Sequence, residues 1–129
     1  MSGRYVLGRQ KFAEGAISWS THTIKAVLLS SAYTVNLNTH EFLSDLTGVV
    51  STSAAFTQKT STGGWADCQD IPFAAVTGAL CTQMVVFRDT AVAGTSPLIS
   101  HHSSGVGMPI YPNGRDILVI INSPGLFRI

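Results

Sequence analysis

Charge is scarce in this chain: 8 Lys and Arg against 7 Asp and Glu, 12% of 129 residues, for a formal net charge of +1. The cations stand singly, so there is no basic stripe of the kind that neutralises phosphates, and nucleic acid is not an expected partner. Long apolar runs are missing too. Nothing approaches the roughly 18 continuous apolar residues of a membrane span, and Met1-Ser2-Gly3-Arg4 has no signal-peptide core, so no membrane partner is expected and synthesis in the cytoplasm is. Two cysteines, Cys68 and Cys81, are too few for a disulfide framework, and a cytoplasmic protein usually holds such a pair reduced.

Catalytic patterns are equally thin. His101 and His102 are adjacent, and neighbouring strand residues point to opposite faces, so the pair is poorly placed to share an ion. Neither Cys-x-x-Cys nor His-x-x-x-His spacing occurs, and the histidines read as loop or surface residues, with no metal and no cofactor expected. His40, Glu41, Ser44 and Asp45 cluster, but no Gly-x-Ser-x-Gly elbow presents a nucleophile. Asp67 and Asp70 flank Cys68 in a turn rather than facing each other across a cleft. Ser104-Gly105-Val106-Gly107 lacks the Gly-Lys-Ser/Thr that a phosphate loop needs. No catalytic residue is assigned, and the chain is not expected to be an enzyme.

What the chain does have is apolar residues, 45% of the total, in short runs. One domain of this size buries about two-thirds of its unfolded surface. With so little charge, its exterior must be clothed in Ser, Thr, Asn, Gln and Gly, a surface suited to packing against neighbours. Ile24 to Leu29 is apolar and long enough for one buried strand, and it leads into a long polar loop carrying Asn36, Leu37 and Asn38. Residues 80–88, L-C-T-Q-M-V-V-F-R, are apolar on both faces and predict a central strand. Residues 117–121 predict a third strong strand.

Weaker segments fill in the rest. Ile17 and Trp19 alternate with serines as a short half-buried strand, with Trp19 in the core. A strand or two is expected within 49–59, a turn at Gly63-Gly64, and strands at 65–68 and 71–76, where Pro72 confines the latter to an edge or a strand start. A short strand at 97–99 ends at Ser100-His101-His102. A glycine-rich run at 103–107 leads to a turn at Pro112-Asn113-Gly114, and Pro124-Gly125 turns the chain into an apolar terminus. Seven to nine short strands without a long amphipathic helix predict an all-β fold, an antiparallel β-sandwich or a jelly-roll-like small barrel with long loops.

The chain reads as a single β domain over 1–129, with 1–15 as an N-terminal arm or a helix of one or two turns closed by Gly15. An arm so poor in core residues is either loose or borrowed by a neighbouring subunit. Tyr5, Leu7 and Phe12 are its candidate partner contacts. A second possible surface is a sugar platform built from Trp19, Tyr33, Phe56, Trp65 and Tyr111, against which stands the usual burial of tryptophan in a core.

Several segments together carry a likeness: F-x-E-G-x-I at 12–17, T-I-K-A-V-L-L-S-S-A-Y-T at 23–34, T-H-E-F-L-S-D-L at 39–46, V-V-F-R-D-T at 85–90 followed by T-S-P-L-I, and the closing P-G-L-F-R-I. On these the chain resembles a family of small virion structural proteins of tailed bacteriophages, departing from it between residues 51 and 79, which are irregular and Cys-bearing. The resemblance implies a structural role without an active site. It points to capsid decoration, or cementing, on the capsid exterior after assembly in the host bacterial cytoplasm. The implied partners are the major capsid protein and further copies of the chain itself, as trimers or dimers. A tail, neck or baseplate component, and a carbohydrate-binding virion module, are the alternatives.

Overall fold

The computed structural model describes residues 3–103, 108–121 and 125–128. In chain order its elements are β1 (Gly3–Arg4), α1 (Val6–Ala13), β2 (Ile24–Leu29), β3 (Val49–Thr52), β4 (Trp65–Ala66), β5 (Ile71–Phe73), β6 (Gln83–Arg88), β7 (Leu98–His102), β8 (Ile117–Val119) and β9 (Phe127–Arg128). The predicted glycine-rich run (residues 104–107), Pro124 of the predicted turn, and Ile129 lie outside the described residues.

The two strongest apolar runs pair with each other. β2 and β6 are antiparallel from Ile24↔Arg88 to Leu29↔Gln83, and they form the centre of a five-stranded sheet of order β1-β7-β6-β2-β3. Both strands are apolar on both faces because both faces of the sheet are covered. On one side Ile24, Ala26, Leu28, Met84, Val86 and Ile99 join Trp19, Phe56, Phe73 and Phe127 in the larger core. On the other, Val27, Leu29, Val85, Phe87 and Leu98 meet Tyr5, Tyr33 and Leu46 in a second cluster. The larger core is roofed by two short antiparallel ladders, β4-β9 and β5-β8. The fold is therefore mainly β and antiparallel with one short helix, and among the described residues no sheet closes into a barrel.

The second cluster is roofed by the long loop between β2 and β3 together with the N-terminal segment. Val6 N–H donates to the Leu37 carbonyl at 2.9 Å, Leu43 N–H to Ser96 at 2.8 Å, and Leu98 N–H to Glu41 at 2.9 Å. Asp45 turns the loop locally: its Oδ2 accepts the N–H groups of Glu41 and Phe42 at 2.8 and 3.0 Å. Those two bonds, Phe42 foremost, hold the Asp45 carboxyl below the usual range.

Several expectations from the sequence need correction. The N-terminal arm is not loose: within the one chain β1 pairs with β7 at Gly3↔His101 and Arg4↔Ser100, and Tyr5 is fully buried. Leu7 and Phe12 are half-buried, Phe12 against the larger core. Residues 17–19 form no strand. Ser18 N–H donates to His22 Nδ1 at 2.9 Å and His22 N–H to the Ser18 carbonyl at 3.1 Å, and these local bonds offer the backbone a turn in place of a ladder. The strand at 117–121 is cut to three residues, because its partner β5 is itself three residues long around Pro72. The short strand at 97–99 instead runs on through His102, since central β6 takes it as a neighbour, with Met84↔His102 and Val85↔His101 in register.

Other expectations hold. Trp19 lies in the core, edge-on to Phe56 and Phe127 with ring centroids 5.9 and 5.5 Å away. Pro72 sits on a strand paired only with β8 among the described residues. Gly15, at φ +79°, closes α1: its N–H reaches the Phe12 carbonyl while that of Ala16 reaches Lys11, the paired bonds of a Schellman end.

A second glycine decides how α1 seats. A Cβ at Gly8 would stand 2.2 Å from the Leu98 carbonyl oxygen and 3.3 Å from Ile99 Cα, so the helix lies directly on the β7 backbone. Alanine improves helix propensity by about 1 kcal/mol, but here it must push one backbone off another. Gly8→Ala is expected to lower stability by about 2 kcal/mol net. A denaturation midpoint equal to or above that of the parent would show that α1 is free to shift.

Candidate functional site

The polar side chains of the second cluster form a built constellation among the described residues. Gln83 lies at its centre, buried at the start of β6 within an otherwise apolar run. Its Nε2 donates to the carbonyls of Ser30 and Tyr33, both at 2.9 Å. Its Oε1 is thereby the acceptor for His101 Nε2 at 2.7 Å, which places a proton on that imidazole nitrogen. Tyr33 continues the chain of contacts. Its hydroxyl bonds Tyr5 at 2.8 Å and His40 Nδ1 at 2.7 Å, and its ring lies against those of His40 and His101. Burial raises the pKa of both phenols, so Tyr5 and Tyr33 remain neutral hydroxyls.

His102 occupies the other face of β7. Its Nε2 lies 2.9 Å from Ser100 Oγ inside the protein. Burial, with neighbouring His101 adding, lowers its pKa to about 4. The adjacent histidines therefore address opposite faces, as strand alternation requires, and the expectation that they are loop or surface residues is overturned: they are 2% and 5% exposed.

The remaining sequence candidates are dispersed. Asp45 is occupied by backbone N–H groups, and Ser44 is exposed beside it. Asp67 Oδ1 accepts the N–H of Cys68 at 2.9 Å, while Asp70 Oδ1 accepts that of Ile121, also at 2.9 Å. Cys68 and Cys81 are buried and unbridged, and burial pushes the Cys68 thiol up to about 12. Among the described residues no three His, Cys, Asp or Glu side chains lie together as a metal site, and no helix is long and apolar enough to cross a membrane. The five aromatics weighed as a sugar platform do not share a surface: Trp19, Tyr33 and Phe56 are buried, whereas Tyr111 is 76% exposed.

Chemically, the Tyr5–Tyr33–His40 and Gln83–His101 contacts satisfy polar groups inside the fold and tie four separate pieces of chain together. Reading the sequence missed Gln83 and Ser100, and it named Tyr5 and Tyr33 separately without joining them. The legible trace of the first was a lone amide inside an apolar strand, which at a buried position demands partners. Comparison with protein-family models and with curated proteins finds no match for this chain.

Proposed function

We propose that this protein is a structural component of a tailed-bacteriophage particle, acting as a decoration protein that binds the outer surface of the major capsid lattice and stabilises the head. The observation that carries this reading is how the side chains are divided. The histidines, the tyrosine pair and the buried amide are consumed in holding the fold, while isolated apolar side chains project from a weakly charged exterior. Leu118 and Ile120 on and beside β8 are 56% and 51% exposed, with Pro72 exposed across the ladder. Uncharged relief of this kind suits contact with many identical neighbours, where each copy adds a modest interface and symmetry multiplies it. We read the layering as sandwich-like, the two short ladders standing where a second sheet would, and the assembled form as a trimer or dimer on capsid symmetry axes.

Capsids assembled without this protein should release their genome at a lower temperature than complete particles, and adding the purified chain back should restore the original value. Particles equally resistant to heat and pressure with and without it would overturn the decoration reading.

A further inference from the structure

We propose that the N-terminal segment, β1 through α1, is an exchangeable clasp that seats on a second copy of this chain, delivering its Tyr5 into the partner's socket. The contacts that seat the segment are made mostly with residues far along the chain. Tyr5 fills a socket of Val27, Leu29, Tyr33, Val85, Phe87 and Leu98, and its N–H bonds the Ile99 carbonyl at 3.0 Å. β1 pairs with His101 and Ser100, and Gly8 rests on Leu98. Lys11 pairs with Glu41 at 2.8 Å and lies 5.3 Å from the centre of the Phe42 ring. Because all of these partners belong to the body, a second copy presents the same socket, and exchange preserves each contact.

The connection back to the body is built to open. Ala13, Glu14, Gly15 and Ala16 are all exposed, and Gly15 turns the chain at φ +79° with open space where a side chain would stand. Straightening there gives up the Schellman bonds of Gly15 and Ala16, the Ile17 N–H bond to the Lys11 carbonyl at 3.3 Å, and the Arg88 contact to the Ala16 carbonyl at 2.9 Å. In return the helix is free to continue through the same N–H groups. A net charge of +1 sets no repulsion against close approach of two copies. The exchange is a property of the chain itself and stands or falls apart from the capsid reading.

Two single-cysteine full-length variants test it, Lys11→Cys and Glu41→Cys, mixed at high concentration and treated with a short bis-maleimide; native Cys68 and Cys81 are buried. A cross-link between the two chains requires one copy's clasp to lie on the other's loop. We expect a covalent heterodimer, and about a tenfold greater yield when both chains also carry Gly15→Val, because a β-branched residue is strained in the left-handed turn and unstrained in a straightened hinge. The double variant Lys11→Cys/Glu41→Cys, diluted, should cross-link within one chain. Absence of the heterodimer in both backgrounds, alongside efficient intrachain cross-linking of the double variant, would overturn the proposal. So would failure of the double variant itself, because the clasp would then not be seated as described.

Discussion

Tyr5→Ala should lower the unfolding free energy by about 3–5 kcal/mol, a large share of the roughly 5–15 kcal/mol of a typical domain. The side chain is fully buried, so its removal leaves a cavity among Val27, Leu29, Val85, Phe87 and Leu98. The loss also removes the hydroxyl that Tyr33 meets at 2.8 Å. Tyr5→Phe separates the two effects: it keeps the ring and gives up only the hydrogen bond, for about 1 kcal/mol. Equilibrium urea denaturation of the three chains reads both values. A Tyr5→Ala chain within 0.5 kcal/mol of the parent, on the scale of ordinary surface substitutions, would mean that the N-terminal segment is a dispensable arm and that the second cluster closes without it.

Acid should destabilise the fold over a window set by His102. Its folded pKa of about 4 lies below the ordinary 6.5, because burial disfavours the imidazolium and His101 beside it adds. Between those values the unfolded chain binds a proton that the folded chain refuses, so stability is complete above pH 6.5 and falls as the pH drops towards 4. The full loss is about 3 kcal/mol. Asp45 and Asp89 are shifted below the ordinary carboxylate value of 3.8, Asp45 by backbone N–H groups and Asp89 chiefly by its bond to Lys25, and they withdraw their contribution only at lower pH. His22 is also lowered, by burial and then by Arg88 and Lys59, but it lies near the surface. His102→Gln isolates the buried group: denaturation at pH 7.5 and at pH 4.5 should show most of the difference in the parent and little in the variant. An equal drop in both would assign the acid sensitivity elsewhere.

Legibility followed how far each element's partners lie along the chain. The strand at 24–29, and the one expected at 80–88 and observed at 83–88, were visible because a run apolar on both faces has few options besides the middle of a covered sheet. Gly15 was visible as a helix end because the bonds it makes are local. Pro72 announced an edge by lacking a donor. The failures have the complementary cause. Ile17 and Trp19 are as buried as strand residues, and alternation alone could not distinguish a ladder from the Ser18–His22 turn that positions them. The histidines looked superficial because β7 is extended by its register on β6, which nothing in residues 97–102 specifies.

By itself the sequence determined a small, weakly charged, mainly β protein whose centre is a pair of apolar strands, since burial of those runs is the only way to remove them from water. Tertiary structure alone decided that the N-terminal residues complete the sheet, that Tyr5 fills a socket, and that Gln83, Tyr33, His40 and His101 meet. Buried polar groups must find partners, and which partners they find depends on segments that the chain brings together only after the sheet has formed.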